Sequence, residues 1–89
     1  MKTLEVVNPY DRAPIGTVRL RDWAEIDADL ARAHQLSRQR DAWLPTHKRI
    51  EILKNLARLM MGKSAELAHM IANEGGKPLI DARVEVARA

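Results

Sequence analysis

Glu74-Gly-Gly-Lys-Pro78 is the stretch of this 89-residue chain whose residue types most invite a chemical role, because a lysine behind paired glycines can cradle phosphate. A Walker-type loop needs a glycine, four residues and then Gly-Lys-Ser/Thr, so that successive backbone N–H groups wrap the phosphates and a hydroxyl holds magnesium. Here Pro78 stands where the hydroxyl residue belongs, Ile71 occupies the place of the upstream glycine, and the residues before it carry a helical rather than a strand pattern. Glycine tolerates positive φ and proline suits the first turn of a helix, so the segment reads as a joint between two helices.

The remaining chemistry-bearing residues do not assemble into a site. His34, His47 and His69 share no helical spacing that would point two of them at one metal, and there is no cysteine to complete a ligand set. Without cysteine there is also no disulfide framework and no thiol nucleophile. Glu25 with Asp29, and Asp81 with Glu85, are carboxylate pairs four residues apart, which acid and base catalysis would have to place in a cleft with separated pKa values. Solvated helix faces account for them more simply. Ser37 and Ser64 are the only serines, and Ser64 is placed to cap a helix, so no nucleophile, base and oxyanion donor come together.

Composition narrows the class further. With 46% hydrophobic and 30% charged residues the chain is globular rather than disordered, yet at this length it buries only about 60 to 65% of its unfolded surface. Tyr10, Trp23 and Trp43 are the only aromatic residues, so the core must be aliphatic. The net charge of +3 is spread along the chain, whereas nucleic-acid binders gather a basic face and stacking aromatics. Met1 to Pro14 contains no continuous apolar stretch and no segment reaches the roughly 18 apolar residues of a membrane span, so a cytoplasmic location is expected.

A hairpin and about four helices must position these residues. Leu4–Val7 and Ile15–Leu20 look like two short strands around Asn8-Pro-Tyr-Asp-Arg-Ala-Pro14, whose Asn, Asp and Pro are turn formers, giving a hairpin over 4–20. Asp22 and Glu25 form the pattern of a capping box ahead of a helix over about 22–41, with a narrow stripe of Ile26, Leu30, Ala33 and Leu36. Thr46 is placed to cap a second helix over 46–61. At about 100° per residue, Ile50, Ile52, Leu53, Leu56, Ala57, Leu59, Met60 and Met61 cover an arc of about 200° on it, which demands partners on more than one side. Gly62 suits a left-handed helix end, Ser64 caps a third helix over 64–74, and Pro78 opens a fourth over 78–89 that runs to Ala89 without a stop signal. The fold class expected is therefore mostly α with an N-terminal β-hairpin, an α+β fragment in which residues 1–89 form one unit.

In order and spacing, "VVNPYDRAPIGTV", "AHQLSRQRDAWLPTHKRIEILKNLARLM" and "ELAHMIANEGGKPLIDARVEVARA" resemble the N-terminal region of the NAD(P)-dependent aldehyde dehydrogenase superfamily. Val7-Asn8-Pro9 with Ile15-Gly16 is similar to its opening hairpin. Trp43, Arg49 and Leu56-Ala-Arg-Leu59 are similar to its second helix region, and Glu74-Gly-Gly-Lys-Pro78 to its Glu-Thr-Gly-Lys-Pro element, with Gly75 departing from the usual threonine. The resemblance implies part of an α/β enzyme that oxidises an aldehyde to a carboxylic acid, using NAD or NADP, a cysteine thiolate and a glutamate-activated water. In the family these residues and the dinucleotide site lie downstream of the matching region, so the segment is expected to be inactive by itself, with no catalytic or cofactor-binding residue and no cofactor of its own. Its implied partner is the remainder of the dehydrogenase polypeptide or another subunit. The resemblance also implies a structural cation site at the carbonyl of Val6 or Val7 and the carboxylate of Glu74.

Two other readings follow from the residues alone. A stand-alone basic helical module could contact nucleic acid or a partner protein through the second helix, on the strength of the +3 charge and the wide apolar arc. Alternatively, that same arc could draw the chain into a homo-oligomer.

Overall fold

A computed structural model describes residues 1–89. Strands β1 (Thr3–Val7) and β2 (Pro14–Arg19) pair antiparallel, followed by helices α1 (Trp23–Ser37), α2 (Thr46–Gly62), α3 (Ser64–Gly75) and α4 (Leu79–Arg88). The chain is thus mostly helical behind a two-stranded hairpin. No helix is long and apolar enough to cross a membrane.

Side chains of the turn set the hairpin. Asn8 Oδ1 accepts from the Tyr10 N–H at 2.8 Å and Asp11 Oδ1 from the Ala13 N–H at 2.9 Å, the local bonds that favour Asn and Asp in turns. Leu4 faces Val18 and Val6 faces Gly16, but Val7 faces Pro14, a one-residue step in register. Pro14, with no N–H to give a ladder, sits at the strand end, where that loss is tolerated.

The capping box at α1 is complete: Asp22 Oδ1 accepts from the Glu25 N–H and Glu25 Oε2 accepts from the Asp22 N–H, both at 2.9 Å. The helix stops at Ser37, four residues short of the expected end. Ser37 Oγ donates to the His34 carbonyl at 2.7 Å and Trp43 Nε1 donates to the Leu36 carbonyl at 3.0 Å, so side chains take up carbonyls that another helical turn would need. Residues 40–42 form a single 3-10 turn instead, and Arg40 lies 6.0 Å from the centre of the Trp43 ring.

Three other helix ends depart from expectation. Pro45, not Thr46, is the N-cap of α2; its carbonyl accepts from Lys48 and Arg49, while Thr46 Oγ1 accepts from Arg49 Nη2 at 3.2 Å. Gly62 remains helical rather than left-handed, and the break between α2 and α3 is the single residue Lys63 at φ −118°. Ser64 is consequently the first residue of α3 and caps nothing through its side chain. A one-residue kink leaves no room for the glycine turn and serine cap that residue types suggested.

Extensive packing between elements is confined to β1 with β2 and α3 with α4. Ala68 and Ala82 are fully buried and Val86 nearly so, with Leu67, Ile71 and Leu79 against them. Small alanines let the two helices approach closely. No other residue is buried, and the eight apolar residues of the α2 arc are exposed except the half-covered Met60. The accessible surface is 7926 Å², where a compact protein of this mass shows about 5,300 Å². The radius of gyration is 17.9 Å, against about 12 Å for a compact chain of this length. These elements therefore lie side by side as a sheet-like body of 48 × 36 × 15 Å with most of its apolar surface uncovered.

Candidate functional site

The joint between α3 and α4 is where the sequence's chemistry-bearing stretch meets the rest of the fold. Gly75 closes α3 and Gly76 takes the left-handed conformation, φ 68°, that ends a helix; its N–H donates to the Ala72 carbonyl at 3.0 Å. Pro78 follows, and its carbonyl accepts from the Asp81 and Ala82 N–H groups to start α4. Lys77 Nζ reaches along α4 to Glu85 Oε1 at 2.5 Å. The lysine is thus engaged in an ion pair and the left-handed N–H is already bonded, so the turn presents no ring of free donors for a phosphate.

A contact that no sequence spacing announces ties the hairpin to this joint. Asn8 Nδ2 donates to Asn73 Oδ1 at 3.1 Å across 65 residues of chain. One residue further on, Pro9 lies over Gly76, so close that a Cβ there would meet Pro9 Cγ at 2.8 Å. The Asn-Pro turn therefore sits on the C-terminal end of α3. What could have hinted at it is a glycine, which lets another segment approach its backbone closely, and a rigid proline near the opposite end of the chain.

The proposed cation ligands are distributed about this contact. Val6 and Val7 are half-buried at the end of β1, next to Asn8, and Glu74 is exposed beside Asn73. The Glu74 side chain borders a groove of about 670 Å³ between α3 and α4 that Met70, Ile71, Glu85 and Arg88 also line. No group of three or more His, Cys, Asp or Glu side chains stands together anywhere in the chain. Hard cations such as calcium take six to eight oxygens, so one carboxylate and one carbonyl make a partial set.

The other candidates fall apart in space or are satisfied locally. His34, His47 and His69 lie on α1, α2 and α3 and are exposed. Glu25 and Asp29 are bound to arginines: Arg19 Nη1 to Glu25 Oε1 and Arg21 Nη2 to Asp29 Oδ2, both at 2.7 Å. The Asp22 N–H and the Arg19 guanidinium hold the Glu25 carboxyl below its ordinary pKa, the backbone donor contributing most. A second groove, about 580 Å³, is lined by Ala57, Met60 and Met61 of α2, Ala65 of α3, and Arg83 and Val86 of α4. It is mostly apolar, and its one hydroxyl, that of Ser64, has no His, Asp or Glu among the lining residues to serve it as a base. Nor does the hairpin offer what a dinucleotide needs, a parallel strand leading through a glycine-rich turn into a helix.

Comparison with known proteins gives a consistent result. The model of the aldehyde dehydrogenase family matches residues 1–89. Sulfoacetaldehyde dehydrogenase of Neptuniibacter caesariensis is 37% identical over 89 residues, which are 98% of this chain and 19% of that protein. Lactaldehyde dehydrogenase of Methanocaldococcus jannaschii is 35% identical over 88 residues, 97% of this chain and 18% of that protein. Succinate-semialdehyde dehydrogenase [NADP(+)] of Deinococcus radiodurans is 39% identical over 85 residues, 93% of this chain and 17% of that protein. The chain thus spans less than a fifth of the length of these relatives.

Proposed function

Because the chain belongs to the aldehyde dehydrogenase family, we propose that it serves as the N-terminal structural segment of an NAD(P)-dependent, cytoplasmic enzyme that oxidises an aldehyde to a carboxylic acid. By itself the segment is inactive and carries no cofactor. The observation that carries this reading is the uncovered surface: about 2,600 Å² more than a compact protein of this mass exposes, the scale of an obligate interface. Its partner in that interface is the remainder of the dehydrogenase polypeptide, which covers the apolar faces of α1 and α2.

Within that role the chain contributes shape rather than reacting groups. The Asn8–Asn73 bond and the Pro9–Gly76 contact hold the hairpin on the end of α3, and the α3–α4 core of Ala68, Ala82 and Val86 keeps the joint rigid. The carbonyl of Val7 or Val6 and the carboxylate of Glu74 would offer two oxygens to a structural cation, the others coming from water or from the rest of the enzyme. The coding sequence beyond the Ala89 codon tests the reading. A continuation carrying a glycine-rich strand-to-helix turn and, later, a cysteine is expected; a long continuation with neither overturns it.

A further inference from the structure

We propose that the Asn8–Pro9 turn and the end of α3 form a latch, and that the hairpin stays folded only while this latch is closed. A two-stranded hairpin by itself is marginal in water. This one packs extensively on no other element: β1 and β2 meet each other, and the only other extensive packing in the chain joins α3 to α4. Its open end is clipped to α1 by Arg19–Glu25 and Arg21–Asp29, exposed ion pairs of a kind that contributes little. What remains to hold the hairpin is its turn, seated on Asn73 and Gly76. Because the latch consists of contacts within the chain, its failure would leave the dehydrogenase reading standing.

The two sides fit because each is shaped locally. Within the turn the Asn8 N–H donates to the Ala13 carbonyl, the Asn8 carbonyl accepts from the Arg12 N–H, and Asn8 Oδ1 accepts from the Tyr10 N–H. Those three bonds orient the amide, and Nδ2, the one polar group the turn leaves over, donates to Asn73 Oδ1 at 3.1 Å. Opposite it, α3 ends in the left-handed Gly76, whose N–H is bonded to the Ala72 carbonyl, and the Pro9 ring fills the space that a side chain at 76 would need. The bond joins residues 65 apart in sequence, so folding of the hairpin depends on residues that come late in the chain. The α3–α4 pair has its own buried core of Ala68, Ala82 and Val86 and does not lean on the hairpin. The dependence therefore runs one way: opening the latch frays the hairpin and leaves α3 and α4 in place.

Amide hydrogen exchange followed by nuclear magnetic resonance on the 89-residue chain, wild type and two variants, tests this. Asn73 lies on α3 and bonds to the hairpin only through Asn8, and alanine is the better helix former, so Asn73→Ala removes the acceptor while sparing α3. Exchange of the Asn8 and Leu20 amides, bonded to the Ala13 and Lys2 carbonyls at the two ends of the hairpin, should quicken by about three- to tenfold, the factor that one lost hydrogen bond gives. The Ala82 amide of α4 should keep its wild-type rate. Asn73→Asp, which retains an acceptor for Asn8 Nδ2, should keep the hairpin rates of the wild type, and the wild type should show a nuclear Overhauser contact between the Pro9 ring and the Gly76 α protons. Hairpin amides that exchange in Asn73→Ala as in the wild type overturn the proposal, and so does a protected hairpin without the Pro9–Gly76 contact. A wild-type hairpin with no protection overturns it as well, as does an Ala82 amide that quickens with the hairpin, or Asn73→Asp behaving as Asn73→Ala.

Discussion

Pro9 packs directly on Gly76: a Cβ added at that glycine would come within 2.8 Å of Pro9 Cγ. Gly76 also holds φ at 68°, a left-handed value that costs a residue with a side chain about 1 to 2 kcal/mol. Gly76→Ala is therefore expected to destabilise the chain by at least that amount and to loosen the hairpin from α3. Gly62→Ala makes the contrast, because Gly62 is helical and nothing lies within 4 Å of its added methyl; it should be neutral or stabilising by up to about 1 kcal/mol. Chemical denaturation followed by circular dichroism compares the two.

The capping box at α1 gives a second expectation. Asp22→Ala removes the acceptor for the Glu25 N–H and should cost about 0.5 to 2 kcal/mol. Amide hydrogen exchange should quicken at residues 23–26 while the amides of α3 and α4 stay protected. Equal protection at α1 in both proteins would show that the box contributes nothing.

Acid should act at the same place. The Glu25 carboxyl is held below its ordinary pKa, first by the Asp22 N–H and then by Arg19. A depressed folded-state pKa means that the stabilisation is whole above the unfolded value and is lost as pH falls through the folded one. The start of α1 should thus fray only below the usual glutamate range, and Glu25→Gln should flatten that dependence. Titration of the residue 22–26 amides by nuclear magnetic resonance follows it.

Capping and patterning inside an element were legible in the sequence because they depend on residues three or four apart. Asp22 with Glu25 and the Asn8 and Asp11 turn bonds all lie within that range. Thr46 and Ser64 show the limit: both are capping types, but Pro45 and the single kink residue Lys63 settle where the helices begin. The Asn8–Asn73 bond could not be read from spacing at all, since it is made by folding across 65 residues. The arc on α2 pointed to a partner, and in the structure it lies exposed, but a stripe of leucines does not name what covers it.

The cation reading has a local test. Paramagnetic manganese should broaden the signals of Glu74 and of the Val6 to Asn8 backbone before those of the other exposed carboxylates, and Glu74→Gln should abolish that preference. Broadening spread evenly over Glu51, Glu66 and Glu74 would leave nothing special about the joint.

Calorimetric titration of the purified 89-residue chain with NAD and with NADP, paired with an aldehyde oxidation assay, asks most directly whether these residues brace a catalyst or are one. No saturable heat and no aldehyde-dependent reduced nicotinamide are expected. A micromolar binding isotherm, or turnover of any aldehyde, would contradict it.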